Sequence, residues 1–214
     1  MICLILIPAS VTSIGNYAFQ GCSNLTNIIW PADFTAKTVT DLNQTFFGCK
    51  SFVALDLNHW DVSKVADVSS AFRDCSRLTQ LEIGAWNLQN CDDFSSMFQG
   101  CTALQHIPTE RWTIPKATNV SWMFYNCTSL VEILLPRWKP TVDTQCNFDL
   151  FAAECPNLQR VVLGHNTALS YTGWCFNEGD AVYEVKSPNV ITWDRINGDD
   201  YRTYEQTQSG GKLD

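Results

Sequence analysis

The chain has 214 residues, 45% of them hydrophobic and 17% charged, with a net charge of −8. That apolar share excludes a disordered chain and is enough for the core of one large or two small domains. Lys and Arg are scattered rather than striped, so nothing neutralises a row of phosphates; nucleic acid is not an expected partner, and an anionic membrane surface is disfavoured for the same reason.

The chain opens on an apolar run, Ile2-Cys3-Leu4-Ile5-Leu6-Ile7, ended by Pro8. The run is too short to span a bilayer and lacks the positive flank and small-residue cleavage site of a signal peptide. It reads as a strand, and the expectation is no membrane insertion within this chain. So abrupt a start also suggests a piece of a longer protein.

From there the sequence repeats. Cys22, Cys49, Cys75, Cys101, Cys127 and Cys155 recur at intervals of 27, 26, 26, 26 and 28 residues, and Trp60, Trp86, Trp112 and Trp138 recur at 26. Three residues before each cysteine stands Phe19, Phe46, Phe72, Phe98 or Phe124; the last unit slips, with Phe151 four before Cys155. Three residues after each cysteine comes Leu25, Phe52, Leu78, Leu104, Leu130 or Leu158, and three further on Ile28, Leu55, Leu81, Ile107, Ile133 or Val161. Two rare residue types on one beat make an internal repeat the main signal.

Each unit ends in Leu-x-x-Leu-x-Leu, whose last two apolar positions alternate as in a strand with one buried face. Before each cysteine the apolar spacing is three or four, as in Val65, Val68, Phe72 and Cys75, which predicts a short helix or 3₁₀ turn. One strand and one helical turn cannot close a core alone. Stacked copies can, with the strands forming a parallel sheet at ~4.8 Å per copy.

Leu78-x-x-Leu81-x-Ile83-x-x-Trp86 resembles the leucine-rich-repeat signature, with Trp in place of the usual Asn or Cys. The stretch from Leu55 to Cys75 (LDLNHWDVSKVADVSSAFRDC) resembles the repeat of BspA-like surface proteins. Ile7 to Cys22 (IPASVTSIGNYAFQGC) resembles that family's shorter variant. The resemblance covers roughly residues 4–166. It implies an α/β repeat fold: a right-handed leucine-rich-repeat solenoid of about six coils over residues 1–166, with a short-stranded parallel sheet on one face and short helices or 3₁₀ turns on the other. It also implies a bacterial cell-surface or secreted protein, mostly an adhesin in this family.

Asn166 stands where the next Trp should be, and no further Phe-x-x-Cys unit follows. Residues 167–205, with Tyr171, Trp174, Phe176, Tyr183 and Trp193, are expected to cap the open end, and residues 206–214 to form a flexible tail.

The cysteine ladder is expected to be reduced core, because units are a coil apart with parallel Cβ vectors, which suits neither zinc nor a disulfide. Cys3, Cys91, Cys146 and Cys175 lie off the ladder, and a disulfide among them stays open. The tryptophans could be a carbohydrate platform, but their identical phase favours structural packing. Trp122, between Ser121 and Met123, is the exception and a candidate contact on the convex side. Of His59, His106 and His165, the first and last share a repeat phase but stand several units apart, so they cannot share a metal, and no nucleophile–base pair or phosphate loop is present. Asp194 to Asp200 lacks the ligand spacing of an EF-hand and reads as a solvated Asn-Gly turn. No metal, cofactor or catalytic residue is expected, and so no enzyme. Asn24, Asn43, Asn119 and Asn126 begin glycosylation sequons, which matter only in a eukaryotic source.

The outward-facing strand positions vary where the buried ones repeat. One row holds Ile29, Asp56, Glu82, Pro108, Leu134 and Val162, and the row two residues earlier holds Asn27, Ala54, Gln80, His106, Glu132 and Arg160. The candidate ligand contacts on this concave face are Asp56, Glu82, His106, Pro108, Glu132, Leu134, Arg160 and Val162. A ligand-tuned surface and a neutrally drifting one look alike here. The leading expectation is a non-catalytic module that binds a protein or glycoconjugate; the alternative is a structural spacer within a larger envelope or appendage protein.

Overall fold

The computed structural model describes residues 3–138, 146–164, 182–186 and 190–195. Eight short strands are present: β1 (Cys3–Leu6), β2 (Leu25–Ile29), β3 (Ala54–Asp56), β4 (Gln80–Glu82), β5 (Glu132–Leu135), β6 (Arg160–Gly164), β7 (Val182–Lys186) and β8 (Val190–Arg195). The Leu-x-x-Leu-x-Leu segments supply β2 to β6, and their register keeps the repeat: Leu55 pairs with Leu81 and Ile133 with Val161, in parallel.

This architecture corrects the expected leucine-rich-repeat solenoid. No helix occurs among the described residues, and the strands form separate parallel pairs, β1–β2, β3–β4 and β5–β6, instead of one sheet closing a solenoid. The break between β4 and β5 has a visible cause. The intervening unit carries Pro108, which has no N–H to give to a ladder, and the next N–H, of Thr109, turns back to the Ile107 carbonyl at 2.9 Å.

The missing helices also have a cause. In the segment before each cysteine, alternate N–H groups close consecutive β-turns, as Thr45 to Leu42 O, Phe47 to Gln44 O and Cys49 to Phe46 O. The groups between them point across to the next unit: Leu42 to Asp67 O, Gln44 to Ser69 O, Phe46 to Ala71 O and Gly48 to Arg73 O, at 2.8–3.0 Å. A helix would use every N–H internally; here half of them bind the neighbour. Two left-handed residues per unit make this geometry: Gln44 with Gly48, Ser70 with Asp74, Ser96 with Gly100, Trp122 with Asn126 and Leu150 with Glu154. Positive φ interrupts any right-handed helix, so apolar spacing of three and four here marks tandem turns.

Stacking buries the aromatic ladder. Phe19, Phe46, Phe72, Phe98 and Phe124 lie nearly parallel at centroid distances of 5.4–5.8 Å. Phe151 instead meets Phe124 edge-on at 88°, because the slipped last unit places Ala152 in the ladder position. The indoles of Trp86 and Trp112 donate to the carbonyls of Leu57 and Ile83, at 2.9 and 3.2 Å.

Of the expected cap and tail, only β7 and β8 are described. β8 pairs antiparallel with β6, Val162 opposite Thr192, and β7 pairs antiparallel with β8, giving the order β5-β6-β8-β7. The remainder of 167–205, all of 206–214, Cys175, His165 and the turn from Ile196 to Asp200 lie outside the described residues.

Candidate binding surface

The alternation of each strand sends one side chain inward and its neighbours outward. Leu55 and Leu81 are buried, while Ala54, Asp56, Gln80 and Glu82 are exposed around them. Asp56 is not free of structural work: its Oδ1 accepts the Asn58 N–H at 3.0 Å, and Asn58 Oδ1 accepts the Ala85 N–H of the next unit.

Farther along, charged side chains link three units. His106 Nε2 lies 3.0 Å from Glu110 Oε1, His106 Nδ1 lies 3.6 Å from Glu132 Oε1, and Arg160 Nη1 lies 3.8 Å from Glu132 Oε2. All four are 32% exposed or more, so their pairing orders the surface more than it stabilises the fold. Pro108 and Leu134 stand beside them, half-buried. This brings five expected contacts into neighbouring units, His106, Pro108, Glu132, Leu134 and Arg160, while Glu82 pairs with Asp56 across β3 and β4, before the Pro108 break.

Val162 does not belong with them. It is only 5% exposed, so it is buried and not offered to a ligand as expected. β6 has a strand on each side, β5 and β8, so it is no edge, and neighbours on both flanks reduce what a central strand shows to solvent. Trp122 lies elsewhere, on the turn segment, 36% exposed and in the left-handed conformation (φ 60°), with its ring 4.7 Å from that of Tyr125.

The cysteines are built into the interior. Cys49, Cys75, Cys101, Cys127 and Cys155 each donate a thiol hydrogen bond, 3.0–3.2 Å long, to the carbonyl of Phe19, Phe46, Phe72, Phe98 or Phe124 in the preceding unit. Burial pushes Cys49 and Cys146 up to about 12 and raises Cys75, Cys91, Cys101 and Cys127 as well. Thiols held protonated are poor nucleophiles and poor metal ligands. Off the ladder, Cys3 is exposed, and Cys91 and Cys146 are buried; all three are free thiols. Among the described residues no group of three or more His, Cys, Asp or Glu could hold a metal.

One column escaped the sequence reading. Asp41, Asp67, Asp93, Asn119 and Asn147 stand eight residues before their cysteines and join in successive parallel bridges. Each Oδ1 accepts the N–H two residues later, at 2.7–3.2 Å, which starts the turn segment. The signal was present as an acid or amide on the repeat's beat; it was missed because polar positions were read as variable.

A family model described as "Mycoplasma protein of unknown function, DUF285" matches residues 14–138. The chain belongs to this family. The DUF285 match spans the units from Ile14 to Trp138 and so includes the turn ladder, the cysteines from Cys22 to Cys127, and His106 and Glu132 of the charged row. No curated protein and no solved structure matches the chain. In this DUF285 protein no helix among the described residues is long and apolar enough to cross a membrane.

Proposed function

We propose that this chain is a non-catalytic binding module, displayed at a cell surface or secreted, that holds a protein or glycoconjugate ligand on the outer face of its strands. The observation that carries the reading is the contrast within β3, β4 and β5: Leu55, Leu81 and Ile133 are buried, while the flanking outward positions vary, with Asp56 and Glu82 in one row and Glu132 in the other, where His106 and Arg160 also fall. A fixed scaffold with a varied exposed row suits recognition. The half-buried Leu134 and Pro108 supply an apolar centre, and the His106–Glu132–Arg160 charges a polar rim that steers encounter. The resemblance to BspA-like surface repeats and the acidic charge support an extracellular setting and a non-nucleic partner.

The test is binding of the isolated chain to immobilised extracellular-matrix proteins and glycans, with Leu134→Asp as the disabling variant. Saturable binding lost in Leu134→Asp supports the module. No binding to any of them, with the longer parent protein binding through another segment, would instead make the chain a spacer.

A further inference from the structure

The turn segments place one residue per unit in the same left-handed position: Tyr17, Gln44, Ser70, Ser96, Trp122 and Leu150. The stacked backbone imposes that conformation in every unit, so the fold accounts for the positive φ of Trp122 but not for its indole. Serine fills the position in the two preceding units. Nor does the core need the ring, since Trp122 is 36% exposed while every ladder tryptophan from Trp60 to Trp138 is buried.

The exposed indole packs against Tyr125, the two rings meeting at 4.7 Å with planes 52° apart. The backbone beneath it is fixed as in the other units: the Trp122 main-chain N–H donates to Asp149 O at 2.8 Å, and the Trp122 carbonyl accepts the Tyr125 main-chain N–H at 3.1 Å. In the same row the two units toward the N-terminus carry Ser96 and Ser70. Rigid aromatics lose little conformational entropy on binding. Backbone pairing sets residues with hydrogen-bonding side chains next to the pair: Asp149, whose carbonyl takes the Trp122 main-chain N–H, Asn126, next to Tyr125 in the chain, and Gln99, one unit before Tyr125 in the same row. The row's cation, Arg73, stands two units away and lies over Phe47, 5.5 Å from its centroid.

We propose that Trp122 and Tyr125 form a binding site for a neutral saccharide, whose C–H face stacks on the indole while its hydroxyls meet Asp149, Asn126 and Gln99. A flat apolar ring face bordered by acceptors and amides fits a sugar, which presents C–H groups on one face and hydroxyls at its edge. The carboxylate at Asp149 disfavours sulfated and sialylated sugars. The inference rests on the reading of the chain as a binding module, but it uses the turns instead of the strands, so the two can fail separately.

The test is a glycan array carrying neutral, sialylated and sulfated oligosaccharides, probed with the full chain, with Trp122→Ser and with Tyr125→Gln. Both substitutions install residues that other units carry at the same place, so the thermal midpoint should hold. Expected are retention of neutral glycans alone, weakening of about tenfold or more in Trp122→Ser, as for loss of an aromatic anchor, and a smaller loss in Tyr125→Gln. Retention of no neutral glycan, equal retention by Trp122→Ser, or a preference for sulfated glycans overturns the proposal. Matrix-protein binding that survives in Trp122→Ser but not in Leu134→Asp leaves the strand-face reading standing even then.

Discussion

The indole nitrogen of Trp86 donates to the carbonyl oxygen of Leu57, one unit back, at 2.9 Å. Trp60 occupies the same place one unit earlier, buried and stacked on Trp86, yet its indole nitrogen has no partner. The interval behind Trp60, from Cys22 to Cys49, is one residue longer than the three that follow, and the position equivalent to Leu57 and Ile83 is Trp30. Replacing Trp86 with Phe should cost about 1 kcal/mol beyond the loss of ring area, for the lost hydrogen bond. Replacing Trp60 with Phe removes an orphaned donor and should cost less than Trp86→Phe. Urea denaturation of the two variants decides it; equal losses would refute the register argument.

Alkali should unfold this protein early. The buried thiols have folded-state pKa values above the ordinary 9.0, Cys49 and Cys146 at about 12. Below pH 9 both folded and unfolded thiols keep their protons, and the stabilisation is fully present. Between 9 and 12 the unfolded chain releases protons that the folded one retains, so stability falls as pH rises, by up to about 1.4 kcal/mol per pH unit for each such thiol. Melting curves from pH 8 to 11 should show the decline, and Cys101→Ala should flatten it by roughly one proton's worth. Thiol labelling at pH 8 should be slow on the buried ladder cysteines, Cys49 to Cys155, until denaturant is added, and the exposed Cys3 should label at once.

Leu81 pairs in register with Leu55 and is 3% exposed. Truncating it to Ala opens a cavity between two units and should cost ~2–5 kcal/mol. A measured loss under about half a kcal/mol would be at odds with a buried position of this kind.

On the strand face, Asp56→Asn and Glu82→Gln should change association rate and salt dependence more than affinity, because exposed charges steer encounter. Leu134→Asp should weaken binding outright, since it puts a charge in the apolar centre. Val162→Asp is a control of another kind: at 5% exposure it should unfold the β5–β6–β8 sheet and not report on a ligand. Surface plasmon resonance at two salt concentrations separates these outcomes. If Leu134→Asp binds like the parent, the strand face is not the contact.

Glycine at the second left-handed position of a unit offers one more check. An added Cβ at Gly100 (φ 73°) would collide with Asp74 Oδ1, whereas at Gly48 (φ 72°) the nearest atom is Gly21 Cα at 3.7 Å. Both substitutions to Ala should cost about 1 kcal/mol for the left-handed backbone, and Gly100→Ala more, because the Asp74 carboxylate must move. Thermal midpoints of the two variants give the comparison.

The repeat, its units and its interior were legible in the residues, because burial is a local demand: each of Phe72, Cys75, Leu78 and Leu81 must face inward wherever the unit sits, and one-dimensional spacing records that. The slip at Phe151 was legible too, and appears in space as a ring turned by 88°. What spacing could not record is where the backbone hydrogen bonds go. Apolar residues three and four apart fit a helix and fit tandem turns equally well, and the choice was made by the neighbouring unit, whose carbonyls take the N–H groups of Gln44, Phe46 and Gly48 that a helix would have kept. The unbroken sheet failed on the same kind of term, at Pro108, whose missing N–H matters only against a strand alongside. The outward strand row was read from alternation alone, and Val162 left it because β8, about thirty residues later by the pairing of Val162 with Thr192, closes the edge of β6. Side-chain periodicity is written within one unit, whereas backbone pairing is settled between units; the first was determined by the sequence on its face and the second only by the tertiary structure.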